Sequence, residues 1–430
     1  MTDLKPSPEE VAQTLMQDVQ ILMNYYRTNE YPPPSFENGS PAHAVPENAP
    51  RHVKIARDAA MNSALKIFDL FAGPSQFLSN LTVSYQSLAC LRWLCHFNIL
   101  KLVPLQGDIT FDALAAAANV PKNTLKSIAR MAMTARLFYE PTPDRIAHTA
   151  TSAWLATNQP LHDWALYICK EAVAVALNMV EATEKWPSST ETNQTAFNIA
   201  LQTDLPFFAH LKTRPEHLRL YSEYQKAVAS TEGLDLQHLV HGYDWQALGK
   251  AQIVDVGGSI GLASVALATA YPDLSFVVQE LPDVVKQGKE YISNLKDESI
   301  ASRITYATHN FFDDQPIIGA EVYLLRMILH YWSIEESAKI LRKLVSVLKP
   351  NSSRILVMDT VLPSPGSVTT VTERQLRTRD LAMLQIHNSG ERNIEDWEAI
   401  YKEADPRLRV KRVHLPFGSQ MSVMELVLDV

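Results

Sequence analysis

Cysteine is scarce in this chain: Cys90, Cys95 and Cys169 are the only three in 430 residues. An odd count in so long a chain gives no disulfide framework, and the spacings offer no zinc site. Long apolar runs are missing too. No stretch approaches the roughly 18 residues of a membrane span, and the opening Met1-Thr2-Asp3-Leu4-Lys5-Pro6 lacks the charged-then-apolar order of a secretory signal. A cytoplasmic protein with no membrane partner is expected, so matches such as Asn193-Gln194-Thr195 carry no message about glycosylation. The third absence is a basic cluster. At a net charge of −8 with no Lys/Arg stripe, the chain has little to set against phosphates, and no nucleic-acid partner is expected. Carboxylates do not gather into a metal-holding pattern; Asp313 and Asp314 read as a loop cap, and no metal is expected.

What the chain does have is concentrated between Ile253 and Leu281. A β-branched run, Ile253-Val254-Asp255-Val256, enters Gly257-Gly258-Ser259-Ile260-Gly261. An alanine-rich stretch, Leu262 to Ala268, follows, and a second apolar run from Leu274 ends in Gln279-Glu280-Leu281. That order is a strand–turn–helix–strand unit of the kind that holds a nucleoside cofactor. Gly257, Gly258 and Gly261 let the chain turn sharply and bring backbone N–H groups up to a ligand. Glu280, about 20 residues beyond the glycines at the end of the second strand, is placed to accept from both ribose hydroxyls. A dinucleotide site calls for Gly-x-Gly-x-x-Gly, whereas here Asp255 precedes two adjacent glycines. A carboxylate at such a turn meets an ammonium or sulfonium directly or through water, which favours S-adenosylmethionine over NAD.

At 430 residues the chain is too long for one ordinary core, and two domains are expected, residues 1–240 and 241–430. Ser7-Pro8-Glu9-Glu10 opens a helix running to about Arg27 with an apolar stripe at Val11, Leu15, Val19, Leu22 and Met23. Thr28 to Arg51, with six prolines, reads as an extended or mobile linker. Helical spacing resumes at Val53 and stops at Gly73-Pro74. From about 85 to 155, three helices and a short extended pair, Leu137 to Glu140 with Arg145 to His148, read as a winged helix. A long helical region from Leu161 to Lys250 follows.

Beyond Leu281, strands are expected at Arg303 to Ala307, Glu321 to Leu325 and Arg354 to Met358, with helices at Ile334 to Leu348 and Glu395 to Glu403. The last two runs, Leu408 to Leu415 and Met421 to Leu428, form a hairpin. The fold class is α/β: a Rossmann-like sheet with an antiparallel terminal hairpin, plus a mainly helical N-terminal region.

In an open parallel sheet the ligand lies beyond the carboxyl ends of the strands. His330, in Leu329-His330-Tyr331-Trp332, is the imidazole placed there, and an imidazole of ordinary basicity is a competent base at pH 7. A histidine that merely caps a strand end is the alternative. Met327, Met383 and Phe207 are scattered apolar candidates for a pocket lining, and His162 and Thr231 are polar groups that serve an activity or simply sit satisfied in the core.

Val254-Asp255-Val256-Gly257-Gly258, Gln279-Glu280-Leu281-Pro282, His309-Asn310-Phe311-Phe312, Leu329-His330-Tyr331-Trp332 and Gly390-Glu391-Arg392 occur in that order. On these motifs the chain resembles, over nearly its whole length, the class I S-adenosylmethionine-dependent O-methyltransferases of the plant caffeate type and their fungal secondary-metabolite (sterigmatocystin-type) relatives. The resemblance implies a methyltransferase sheet, an N-terminal dimerisation region, a homodimer and a small-molecule substrate. It implies His330 as general base with Asp359 and Glu391 orienting its ring. Gly257 and Glu280 match the methionine-tail and ribose contacts, Asn310 and Phe311 the adenine contacts, and Arg326 a basic residue near the cofactor, with Asp255, Gly258 and Leu281 in the same motifs. Three positions depart from the family: Asn310 stands for a usual aspartate, Asp359 for a glutamate one methylene longer, and Ser259 for a glycine. A second activity stays open, because fungal members of this fold keep S-adenosylmethionine as a bound cation for pericyclic or dehydration chemistry. A non-catalytic regulator using the winged helix is a third reading, opposed by the missing basic stripe.

Overall fold

The computed structural model describes residues 6–429. Two compact units interleave along the chain: one holds the chain up to Leu177 with Leu211–Ala227 and Pro365–Gln375, the other Asn178–His210, Val228–Ser364 and the chain from Leu376 onward. Segments distant in sequence thus join each unit.

In the first unit the helix Pro8–Thr28 begins where Ser7 accepts from the Glu10 N–H (3.4 Å). Its Leu22, Met23 and Tyr26 pack with Val45, Ala49 and Val53. The proline-rich stretch after it is pinned rather than loose: the Tyr26 hydroxyl donates to the Ala44 carbonyl and that of Tyr31 to the His43 carbonyl, both at 2.9 Å. The stretch read as a winged helix holds three helices and a short antiparallel pair. Helices Phe77–His96, Phe111–Ala118 and Lys122–Thr134 surround Leu94, Phe111, Leu114, Leu125 and Phe138. The short strands β1 (Ile109–Thr110) and β2 (Arg145–Ile146) pair antiparallel, and a bridge from Tyr139 to Ala147 stands beside them. The basic side chains of the third helix are already engaged, Lys122 with Asp112 (2.7 Å), Lys126 with Asp144 and Arg130 with Glu140 (2.9 Å).

The expected long helical region is a run of short helices. Gln159–Tyr167 passes through a π turn, Ile168–Ala172, and Met179–Lys185, Ala196–Ala200, Phe207–Thr213 and Pro215–Ala229 follow. Pro187, Pro206 and Pro215 remove backbone donors and break what periodicity alone would join.

The second unit is built on a seven-stranded sheet: β3 (Ala251–Val256), β4 (Leu274–Glu280), β5 (Ile304–Thr308), β6 (Val322–Arg326), β7 (Arg354–Asp359), β8 (Leu408–His414) and β9 (Ser422–Leu428), in the order β5-β4-β3-β6-β7-β9-β8. The first five run parallel, and β9 lies antiparallel between β7 and β8. Both faces are covered. Val254, Val256, Tyr323, Leu325 and Val357 pack under Ile334–Val345 and Ile394–Ala404 on one side, while Ile253, Phe276, Val278, Leu324 and Leu356 pack under Leu262–Ala270 on the other. Double burial is why these strands read as continuous apolar runs rather than alternating ones. The edge strand β8 exposes Arg409, Lys411 and Arg412, charges that discourage edge-to-edge pairing.

The chain leaves β3 toward β4 and β5, then returns to place β6 on the other side of β3. That reversal is a topological switch point, and in open α/β sheets ligands bind at the carboxyl ends of the strands that flank it, here β3 and β6. No helix among the described residues is long and apolar enough to cross a membrane.

Candidate active site

At the end of β3 the chain turns through Gly257 at φ +71°, a left-handed conformation in which an added Cβ would also lie 2.7 Å from Ile328 Cδ1. Gly258 sits against Asp255: a Cβ there would stand 2.4–2.7 Å from its carboxylate. Asp255 is only 2% exposed and accepts from Ser264 Oγ at 2.7 Å. Burial pushes its carboxyl up to about 6, against the pull of that hydrogen bond and of Arg326. The expected Asp255 thus lies beneath the turn, tying it to the helix Leu262–Ala270. Gly258→Ala should drive the two apart and lower stability by about 1–3 kcal/mol, the usual range for overpacking, read as a fall in Tm of the full-length protein. An unchanged Tm would show that the turn has slack.

Ser259 holds φ +53° without being glycine, a strain of about 1 kcal/mol that the family's usual glycine would not carry. Its N–H points to Glu280 Oε1 (3.3 Å), and the Leu281 N–H donates to Glu280 Oε2 (2.8 Å). Burial holds the Glu280 carboxyl above its usual range, with these two N–H groups working the other way. Leu281 is 44% exposed at the start of Pro282–Ser293. The His309 N–H donates to the Glu280 carbonyl (3.0 Å), which brings the segment after β5 alongside. Asn310 is exposed, and its amide oxygen accepts from the Phe312 N–H (3.2 Å). Phe311 lies over the glycine turn, its Cε1 3.6 Å from where a Gly257 Cβ would be.

Past β6 the backbone reverses through Met327 at φ +56° and enters a short turn, Leu329–Tyr331. His330 is 2% exposed there. Its Nδ1 meets Glu391 Oε1 at 3.1 Å and stands 3.7 Å from Asp359 Oδ1, while Nε2 takes no partner from the protein. The shorter acid, Asp359, is thus the more distant one. Burial pushes the Asp359 carboxyl up to about 6, opposed by His330 and reinforced by Glu391. Burial acts on Glu391 as well, yet the charge and hydrogen bond of His330, with Arg379 beside it (3.5 Å), hold that carboxyl below its usual range. Arg392 fixes the turn: Nη1 donates to the Leu329 carbonyl (2.9 Å), Nη2 donates to the Trp332 carbonyl, and its guanidinium lies 5.1 Å from the Trp397 ring centroid. Ser389 Oγ approaches the His330 and Trp332 carbonyls as well (2.7 and 2.8 Å). Arg326 is partly buried between fields from Asp255 and Asp359; its Nη2 donates to the Leu234 carbonyl at 2.9 Å and its Nε takes no partner.

Aromatic rings gather beside this imidazole. Tyr331 meets His330 edge-on at 4.3 Å, His387 at 4.9 Å and Phe208 at 5.5 Å, and Phe207 lies 5.3 Å from His387.

An O-methyltransferase domain model matches residues 187–405, the span that carries every site residue above. Full-length relatives agree: the chain is 47% identical to "O-methyltransferase aoiF" of Aspergillus oryzae, across 97% of this chain and 99% of that one. It is 44% identical to "O-methyltransferase bik3" of Gibberella fujikuroi, across 98% and 93%. The chain belongs to the O-methyltransferase family. Solved structures match this O-methyltransferase in fold: OxaC with SAH and oxaline has TM-score 0.74 at 19% identity, covering 97% of this chain and 100% of that one. A structure described as "A Pericyclic Reaction enzyme" has TM-score 0.72 at 18% identity with the same coverage.

In this O-methyltransferase the structure brings Gly257, Gly258, Asp255, Glu280 and Phe311 together at the ends of β3, β4 and β5, and His330, Asp359 and Glu391 together after β6 and β7. Leu281 and Asn310 stand at the rim, exposed. Sequence reasoning missed the Gln279–Gln315 amide pair (2.7 and 2.9 Å), which fastens the end of β4 to a later loop, and the bracing by Arg379, Ser389 and Arg392. Two amides 36 residues apart carry no sequence signal of contact. Arg392 did offer one, lying in the Gly390-Glu391-Arg392 motif.

Proposed function

We propose that this O-methyltransferase methylates a phenolic or enolic hydroxyl of a small secondary metabolite, with His330 Nε2 as the base. The observation that carries the reading is a buried imidazole whose Nδ1 is backed by Glu391 and Asp359 and whose Nε2 is left open. S-adenosylmethionine is the methyl donor, and when bound it supplies an electrophilic methyl group. The glycine turn has room only for backbone at Gly257 and Gly258, and the Glu280 carboxylate at its rim suits a ribose diol. Gly257, Gly258, Glu280, Phe311 and Asn310 would hold the nucleoside, with Asp255 and Arg326 supporting the turn from below and Leu281 at its edge.

His330 accepts the proton of the acceptor hydroxyl at Nε2 as the oxygen becomes a nucleophile. Glu391 fixes the tautomer by taking the Nδ1 hydrogen, and the imidazolium that forms is offset by both carboxylates. Arg392 and Ser389 keep the turn from shifting, which matters because misplacement of about 1 Å costs about 10²-fold. Purified protein, labelled cofactor and a panel of polyketide phenols read by mass spectrometry test the proposal; no methyl ether from any of them would count against it. A pericyclic or dehydrating activity with retained S-adenosylmethionine has only a shared fold in its favour, whereas relatives above 40% identity are named O-methyltransferases.

The protein acts as a homodimer in the cytoplasm. Met61, Phe68 and Phe71 on Arg51–Ala72, with Phe77, Leu78 and Leu81 on Phe77–His96, are each at least half exposed, apolar surface that a second copy would cover. Light scattering should give twice 48.2 kDa, falling to the monomer mass in Phe71→Glu/Leu78→Glu. A monomeric wild type would remove the idea. The acid-paired Lys122, Lys126 and Arg130 support a winged helix that does not bind nucleic acid.

A further inference from the structure

His387 ends the helix Thr370–His387 and is only 6% exposed. Its ring stacks on Phe208 at 5.4 Å, meets Phe207 edge-on at 5.3 Å and meets Tyr331 at 4.9 Å. Among the described residues none hydrogen-bonds to its ring nitrogens, and burial, with His330 nearby, pushes the imidazole down to about 3. The ring is therefore neutral throughout the working range, with one nitrogen as donor and the other as acceptor. With no partner from the protein, its ring nitrogens are free to meet a ligand, and a second imidazole with an open nitrogen lies close by. Tyr331 touches both His387 and His330, whose Nε2 is open as well. Two imidazoles with unused nitrogens thus stand on one aromatic wall.

We infer that His387 is a specificity-determining residue that hydrogen-bonds a second oxygen of the acceptor, so that the enzyme takes planar aromatic acceptors carrying an oxygen beside the hydroxyl it methylates. The inference rests on the methyl-transfer reading for what happens at His330. Phe208 and Tyr331 keep exposed surface that a flat ring system can lie against, Phe207 backs His387 from the buried side, and Tyr331 joins it to the base. The His387 ring donates to a carbonyl or accepts from a hydroxyl at the second position. An acceptor without that oxygen leaves the imidazole buried and unpaired, and this asymmetry discriminates more strongly than a lost apolar contact does.

The test titrates full-length protein, loaded with S-adenosylhomocysteine, with 1,8-dihydroxynaphthalene and with 1-naphthol by calorimetry. Wild type should bind the diol about 5- to 100-fold more tightly, the range spanned by one neutral hydrogen bond and the penalty of leaving its partner unpaired. His387→Phe, which keeps a flat ring and removes both nitrogens, should bring the ratio close to one, and His387→Gln should restore part of it. Affinity for S-adenosylhomocysteine should not move in either variant. Equal binding of the two naphthols by wild type, binding of neither, or an unchanged ratio in His387→Phe overturns the inference. Should His387→Phe fail to fold, the wild-type ratio and His387→Gln decide. These readouts need no turnover, so a failure to form methyl ether overturns the proposed reaction and leaves the result at His387 standing by itself.

Discussion

His330→Ala should lower kcat by about 10²–10⁴-fold while S-adenosylmethionine affinity stays nearly constant, because a base acts on the transition state and not on the bound nucleoside. Calorimetry with S-adenosylhomocysteine and turnover with a competent phenol separate the two quantities. Loss of cofactor binding in parallel with turnover would mean that the ring is structural, and conversion without S-adenosylhomocysteine formation would mean that the methyl is not transferred. The pH profile adds a second check. Asp359 is held up to about 6 by burial, opposed by His330 and reinforced by Glu391, so below that pH it takes a proton and ceases to offset the imidazolium. Turnover should therefore fall as pH drops through about 6. Asp359→Asn should lower kcat at pH 8 and remove Asp359's contribution to that limb; an identical profile in the variant would discard this role.

Glu280→Ala should weaken S-adenosylhomocysteine binding by about 10- to 100-fold, the span of hydrogen bonds to a charged group at about 1.5–3 kcal/mol. The carboxylate already accepts from the N–H groups of Ser259 and Leu281, so its oxygens are oriented before a ribose arrives and little ordering is left to lose. Glu280→Gln keeps one acceptor oxygen and should fall between alanine and wild type. Undiminished affinity in the alanine variant would place the nucleoside elsewhere, and a loss matched by a falling Tm would make the residue structural.

Much of the sheet was legible because its strands are local. Ile253 to Val256 and Arg354 to Met358 are runs of β-branched and apolar residues bounded by breakers, and burial on both faces makes such runs stand out. The helix Thr370–His387 left no comparable mark. Leu376 and His387 are its only buried residues, so its polar sequence, Thr370-Val371-Thr372-Glu373-Arg374-Gln375, carries no stripe to detect. The stretch after Thr28 has a related limit: six prolines set a backbone without regular structure, as expected, but whether it is fixed depends on the Tyr26 and Tyr31 hydroxyls reaching carbonyls 12 to 18 residues away.

The glycine turn and Glu280 could be read in advance because the turn, the helix and the acid lie within 30 residues, and local geometry relates them whatever the rest of the chain does. His330, Asp359 and Glu391 are spread over 61 residues, and only the parallel pairing of β6 with β7 and the turn braced by Arg392 set Glu391 at 3.1 Å and Asp359 at 3.7 Å. The sequence by itself determined which chemical groups the protein has and the α/β class that carries them, since both follow from composition and short-range periodicity. The tertiary structure alone decided which nitrogen of His330 is left open, that Asp255 lies beneath the glycine turn, and that His387 joins the aromatic wall, because each depends on burial and on contacts between segments whose separation along the chain sets no distance in space.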